Sequence, residues 1–242
     1  MNPHPPTSQR LHESLGRVIN GMHPGERMPS EPELARQLGV SRATLREAMR
    51  TFETQGLIHR RQGSGTFVSR PSRIIESGLE ILESIETLAK RIGLPVALGE
   101  ITINNRLGSE EELEALDLPP ESEVLSVARV ILAEGQPAAY LIDILPVDVL
   151  PEGEIRDGFS GSVLDLLLQR QDPAPATSRC EIKAVTASSE IARAMAIQRG
   201  DVLLCFEALL FSRMGKVMDY SFSYFLPGYF RFHVVRRVGL LT

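Results

Sequence analysis

Apolar residues recur three or four positions apart through the first quarter of the chain; farther on they alternate in short runs broken by Gly and Pro. A helical front and a strand-rich rear follow from that change of period. Leu11, Leu15, Val18, Ile19 and Met22 predict a helix over 8–22, closed by His23-Pro24-Gly25. Pro29-Ser30-Glu31-Pro32-Glu33 opens a second helix, with Ser30 as N-cap and Glu33 placed for a capping box. Leu34, Ala35 and Leu38 form its buried side, and Gly39 closes it in a left-handed turn. Ser41 caps a third helix that runs to about Gln55 and stops at Gly56. In this helix Leu45, Ala48 and Met49 face a core, while Arg42, Arg46 and Arg50, four apart, share the opposite face. Two β-rich runs, 57–61 and 66–68, flank a Gly-containing turn at 62–65 and predict a hairpin, with Arg60 and Arg61 adding charge beside it.

Residues 3–7 are Pro-rich, and a disordered arm is expected there; 69–73, polar and Pro-broken, read as a linker. Helical spacing resumes over 74–92 through Leu79, Leu82, Ile85 and Leu88. Strands are expected at 98–106, 123–133, 136–145, 179–186, 202–212 and 216–226, with helices at 109–115, 161–171 and 188–197. That order is α+β with a mainly antiparallel sheet. Three units result: a helix-turn-helix head at 4–72, a connector helix at 73–94 and a sensor-like body at 95–240.

Charge sharpens the division. Residues 1–72 hold ten arginines and no lysine against six glutamates, a net +4, whereas the remainder carries −9. A basic head on an acidic body favours an anionic partner for the head alone. No apolar run approaches the roughly 20 residues of a membrane span, and the first residues lack the apolar core of a signal peptide, so no membrane association and a cytoplasmic location are expected. Cys180 and Cys205 lack metal-ligand spacing and are expected as buried free thiols, with a disulfide only if their strands pair. Neither a phosphate loop nor a His pair at ligand spacing is present; no catalytic residue, metal or cofactor is expected, and His233 reads as structural.

An arginine-faced helix is often only a solvated surface. Here a glycine turn precedes it and a hairpin follows, the layout of a helix that enters the DNA major groove with a wing beside it. The stretch GERMPSEPELARQLGVSRATLREAMRTFETQGLIHRRQGSGTFVS resembles the winged helix-turn-helix of the GntR family of bacterial transcription regulators. By that resemblance the DNA contacts fall on Ser41, Arg42, Thr44 and Arg46 in the helix and on Gly63 and Gly65 in the wing. Arg50 is expected as a base reader or, equally, as a phosphate contact or an intramolecular ion-pair residue, and Glu47 as a surface partner of nearby arginines. The chain departs from the family pattern at Pro32, where members usually carry an operator-touching arginine; Arg36 or Arg61 is expected to compensate. The implied partner is double-stranded DNA, read as a palindromic operator by a homodimer.

Four motifs in the body fall in the order of a second family. They are Arg129 six residues before Gly135-x-Pro137, Glu181-Ile182-x-Ala184, the run ARAMAIQRG at 192–200, and Gly215-Lys216-x-x-Asp219-Tyr220-Ser221-x-Ser223-Tyr224. Together they resemble the UTRA effector-binding domain of the HutC subfamily, which has a chorismate-lyase-like fold, binds a small molecule and dimerises. Members that bind sugar phosphates tend to show charged or polar residues where this chain has Ile131, Leu141 and Phe222. A doubly charged ligand is therefore disfavoured. A less charged or partly apolar effector is expected, anchored by Arg129 and Asp219, with Glu181 nearby and Tyr224 as a wall. A one-residue error of register, leaving Ile131, Leu141 and Phe222 as ordinary core, is the competing account. The functional expectation is a ligand-responsive DNA-binding regulator, most often a repressor. Two alternatives stand beside it: a lyase-like enzyme domain fused to a DNA-binding head, with Arg129 and Glu181 as its acid/base candidates, and a constitutive DNA-binding dimer with a vestigial sensor.

Overall fold

The computed structural model describes residues 7–54, 56–61, 63–68, 74–151, 153, 155, 159, 161–170 and 172–236. The arm expected at 3–7 lies outside them except for Thr7, as do the linker expected at 69–73 and the end of the body beyond 236.

In the head, α1 (Thr7–Asn20), α2 (Glu31–Gln37) and α3 (Arg42–Thr54) precede a hairpin of β1 (Ile58–Arg61) and β2 (Gly65–Val68). Leu15, Leu34, Leu45 and Val68 are fully buried and pack with Ile19, Met49 and Ile58 into one small core. That core is the predicted apolar face of each helix. Gly39 takes the left-handed conformation (φ 65°) that turns α2 into α3. The Ser41 hydroxyl accepts from the Thr44 amide at 3.1 Å and caps α3. The wing has a third strand-like edge: the Met28 amide donates to the Thr66 carbonyl (2.8 Å) and the Val68 amide to the Glu26 carbonyl (2.9 Å).

The connector is not one helix. β3 (Ile75–Gly78) pairs in parallel with β10 (Phe230–His233), and α4 (Ile85–Ile92) starts only at Ser84, whose hydroxyl accepts from the Thr87 amide. The physical reason lies in Ile75 and Ser77. They alternate inward and are buried, while the Ile75 amide donates to the Tyr229 carbonyl at the far end of the chain. A long-range ladder thus overrides a local helical spacing.

In the body, β4 (Val96–Leu107), β5 (Glu123–Ala133), β6 (Gln136–Pro146), β9 (Val217–Phe225), β8 (Val202–Ser212) and β7 (Pro175–Thr186) form one sheet in that spatial order, every neighbouring pair antiparallel. Short helices α5 (Glu110–Ala115), α6 (Val163–Leu168) and α7 (Ser189–Ala194) interrupt the strands. Residues directly opposite one another share a face. The register Ile101–Arg129–Leu141–Ser223–Phe206 and, one row along, Ile103–Val127–Asp143–Ser221–Ala208 define the first face. Asp219, two residues before Ser221, belongs to it as well. Val163 and Leu167 of α6 cover this face against Leu125, Val127 and Leu145. The second face carries Tyr140, Tyr220, Phe222 and Tyr224, and α5 packs on it through Leu113. Cys205 is buried and free as expected; Cys180, also free, is exposed on the edge strand β7.

Head and body touch. Gly56 (φ 67°) lies so close to the Pro227 carbonyl and the Gly228 amide that a Cβ would fall on them. Arg61 of the wing donates to the Gln136 side chain of the β5–β6 turn at 2.7 Å. Gly56→Ala should therefore undock the head. Thermal unfolding of the variant is expected to split into separate head and body transitions at lower temperature, and a profile identical to that of the parent chain would contradict the contact.

Candidate DNA interface and effector site

At the start of α3, Ser41, Arg42 and Thr44 are exposed and so is Arg46 one turn on, while Leu45 and Met49 anchor the opposite side. Ser41 and Thr44 hydroxyls are 2.8 Å apart, so the cap also fixes the Thr44 side chain at the helix tip. Arg42 makes no ion pair among the described residues. Arg46 is held by Glu31 of α2, Nε to Oε2 2.6 Å, and keeps about half its side chain exposed. Arg50 pairs with Glu47 at 3.1 Å on an open surface, the ion-pair alternative expected for both residues. Arg36, exposed on α2, donates to the Pro32 carbonyl at 3.4 Å, so the proline that breaks the family pattern orients the neighbouring cation.

The wing is less uniform than its sequence suggests. Gly63 takes a left-handed turn with open space around its α-carbon, which suits close backbone approach. Gly65 lies under Arg27, an exposed arginine of the third wing edge that the sequence reading passed over. Its only sequence signal is the Gly25-Glu26-Arg27 segment preceding a buried methionine, Met28. Arg60 points inward, between Glu31 and Glu53 at 3.6 Å each. Arg61 is turned toward the body: its Nε donates to His59 Nε2 (3.1 Å), and its guanidinium lies 4.9 Å from the Phe67 ring centre as well as on Gln136. The cationic surface facing outward is thus α3 and α2 flanked by Arg27, rather than the Arg60-Arg61 pair.

In the body, the first sheet face gathers Arg129, Ile131, Leu141 and Asp219, all buried. Three other expected residues are elsewhere. Phe222 and Tyr224 project from the second face, with Tyr224 beside Tyr140 (ring centres 6.3 Å apart), and Glu181 lies exposed on β7 in an ion pair with Lys183. The alternation of a strand is the reason: Asp219 and Tyr224 differ by an odd number of positions, so one wall of the expected site belongs to the wrong side.

What the first face adds is carboxylate. Arg129 pairs directly with Asp143, two residues past Leu141 and therefore on the same face; period-two counting from Leu141 is the signal that finds it. The Arg129 guanidinium also lies 5.8 Å from the Phe159 ring. Glu86, in the first turn of α4, reaches the same region, where a Cβ at Gly161 would be 3.3 Å from its Oε1. Asp165 of α6 accepts from the Ser84 hydroxyl at 2.9 Å. Burial pushes the Asp219 carboxyl well above the usual carboxylate range, reinforced by the neighbouring Asp143 charge and opposed by Ser221 and Arg129. Burial likewise raises Glu86. Among the described residues Arg129 Nε, Asp219 Oδ1 and Glu86 Oε1 are buried without hydrogen-bond partners. Among the described residues no group of His, Cys, Asp and Glu is arranged to hold a metal ion, and no helix is long and apolar enough to cross a membrane.

Comparison with known proteins fits both halves. Residues 7–68 match the bacterial regulatory proteins of the gntR family, and residues 99–231, more than half of the chain, match the UTRA domain. The chain belongs to the GntR-type regulators that carry a UTRA domain. It is 29% identical over 226 residues to the HTH-type transcriptional repressor NagR of Bacillus subtilis strain 168, covering 92% of this chain and 90% of that one. It is 28% identical over 194 residues to the histidine utilization repressor of Pseudomonas putida, covering 78% and 75%. In fold it is similar to the crystal structure of PhnF from Mycobacterium smegmatis, with a TM-score of 0.61 at 22% identity over 95% of this chain and all of that one. Membership in this family makes the chain a ligand-responsive DNA-binding transcription regulator rather than an enzyme. The expected α+β architecture, a helix-turn-helix head followed by a mainly antiparallel UTRA body, is that of the family.

In this GntR–UTRA chain the wing contains a titratable residue in an unusual place. Burial and the Arg61 charge lower the His59 pKa to about 4. An unfolded histidine takes up a proton near pH 6.5 while the native one does not, so this contribution is complete above pH 6.5 and lost as pH falls toward 4. His59→Gln keeps an acceptor for Arg61 and removes the titration. Calorimetric unfolding of the parent should lose roughly 2–3 kcal/mol more than the variant between pH 6.5 and 4, and parallel pH profiles would contradict the assignment.

Proposed function

We propose that the chain acts as a homodimeric transcription regulator, most simply a repressor, in which two α3 helices read a palindromic operator and a small molecule bound on the first face of the body changes operator affinity. The observation that carries the DNA half is the exposed Ser41–Arg42–Thr44–Arg46 surface at the capped end of α3, fixed from behind by Leu45 and Met49. Arg42, without an ion pair, is the base reader. Arg46, oriented by Glu31, and Arg36, oriented by Pro32, contact the backbone or a flanking base. Gly63 and Gly65 bring the wing backbone near a phosphate, with Arg27 beside them. Arg50 and Arg61 have secondary roles, since Glu47 and Gln136 respectively engage them.

Two heads are required because one recognition helix spans only a few base pairs. The effector half rests on Arg129, Asp143, Asp219 and Glu86 converging under α4, with Ile131 and Leu141 as apolar neighbours. The docking of Gln136 on Arg61 and of Pro227 on Gly56 gives the body a direct mechanical hold on the head. The acidic body and basic head suit a cytoplasmic protein that meets nucleic acid through one end only.

Duplex DNA selected by the chain from a random-sequence pool provides the test. In anisotropy titrations Arg42→Ala should lose on the order of 1–3 kcal/mol of binding free energy, Arg50→Ala much less, and affinity should fall linearly with salt on logarithmic axes. Sedimentation should find two chains per selected duplex. Unchanged affinity for Arg42→Ala, or one chain per duplex, would contradict the reading.

A further inference from the structure

We propose that the effector of this chain carries a protonated nitrogen beside an oxygen acceptor, the nitrogen's N–H groups going to Asp219 and Glu86 and the oxygen to Arg129. The inference rests on the reading of the body as an effector domain and goes beyond it by naming the ligand's chemistry.

The charge inventory of the first face is lopsided. Among the described residues one guanidinium, that of Arg129, stands among Asp143, Asp219, Glu86 and Asp165, and Asp143 already engages it. Asp165 is satisfied by the Ser84 hydroxyl. Asp219 and Glu86 each keep one oxygen bare: Asp219, 5% exposed, is bonded by Ser221 and the Ile144 backbone but leaves Oδ1 without a donor, and Glu86 Oε1 is buried and bare among the described residues. A buried acceptor left without a donor is costly, so two such atoms, each in the field of Arg129 and Asp143, define what a partner has to supply. It must bring donors and positive charge. A primary ammonium, an amidinium or a guanidinium brings both.

Arg129 Nε adds the complementary demand, a buried donor needing an acceptor such as a hydroxyl or carboxylate. Ile131, Leu141 and Phe159 offer apolar surface for the ligand's carbon skeleton, with the Ser223 hydroxyl in the row of Leu141. A phosphate fits badly. Among the described residues its two charges would face four acidic groups, with one already paired guanidinium and the Ser221 and Ser223 hydroxyls to hold them. The raised protonation of Asp219 and Glu86 agrees, because acids that hold their protons when alone release them to an incoming cation.

The experiment is a thermal-shift screen of the full chain against three sets of matched size. One contains basic amino acids, amino sugars and small amidines, one uncharged sugars and simple carboxylates, and one phosphorylated sugars with inorganic phosphate. Hits are expected in the nitrogen set. By calorimetry, their affinity should fall at least tenfold in Glu86→Gln while that variant still binds the selected duplex like the parent. Binding at pH 6 should also release protons, read from the difference between buffers of unlike ionisation enthalpy. Asp219→Asn gives the same readout should Glu86→Gln fail to fold. Phosphate or carboxylate hits that alter DNA binding and survive Glu86→Gln would overturn the ligand class and leave the effector reading standing. An absence of hits in all three sets would overturn both.

Discussion

Burying the Arg129 guanidinium on a sheet face, among more carboxyl groups than it can neutralise within the described residues, is the constraint around which the body is arranged. Arg129 is held by Asp143 on the adjacent strand, and the remaining acids come from β9, α4 and α6. Those elements are distant in sequence, and each of the two helices starts at a serine cap, Ser84 or Ser162, that fixes where its acidic first turn lies. The two caps meet: Ser84 donates to Asp165, so the starts of α4 and α6 are tied to each other above the charged row. A desolvated pair of this kind is weak evidence for stability, since hydrophobic residues of similar volume often do as well. Its excess of carboxyl groups suits the proposed receptor.

The head solves a different problem, keeping cations outward on a domain too small to spare core positions. Glu31 does much of this work. It orients Arg46 toward the outer surface and, with Glu53, holds Arg60 inside. Arg60 thereby joins the start of α2, the end of α3 and β1, so an arginine that looks like part of the DNA footprint is a strut. Arg61 links the wing to the body instead. Since the β5–β6 turn that grips it belongs to the two strands bearing Arg129 and Asp143, a ligand that shifts those strands acts directly on the wing. Allostery in this chain then needs no long relay, only one strand pair with two ends.

Local signals were legible and long-range ones were not. Gly39, Ser41 and the apolar spacing of Leu34, Leu45 and Met49 define the helix-turn-helix because each acts within a turn or two of itself. The body strands and their hairpin at Gly135 follow from alternation and turn chemistry. Residues 74–82 misled because Ile75 pairs with the opposite end of the chain, which no spacing reveals. In the proposed effector site, Arg129, Ile131, Leu141 and Asp219 share one face, but Tyr224 and Phe222 sit on the other and Glu181 on an exposed edge. The carboxylate sought at position 141 stands at Asp143, one row along the same face. Glu86 was beyond reach of sequence, for only the packing of α4 on the sheet brings it there.

Whether the proposed receptor holds more acid than Arg129 can balance is open to direct measurement. Carbon-detected NMR titration of the side-chain carboxyls of the full chain, with Glu86→Gln and Asp219→Asn used for assignment, reports when each group ionises. Glu86 and Asp219 should titrate well above ordinary carboxylates in the free protein and drop toward the ordinary range once an amine-bearing ligand occupies the site. Ordinary titration of both groups in the free protein would contradict it.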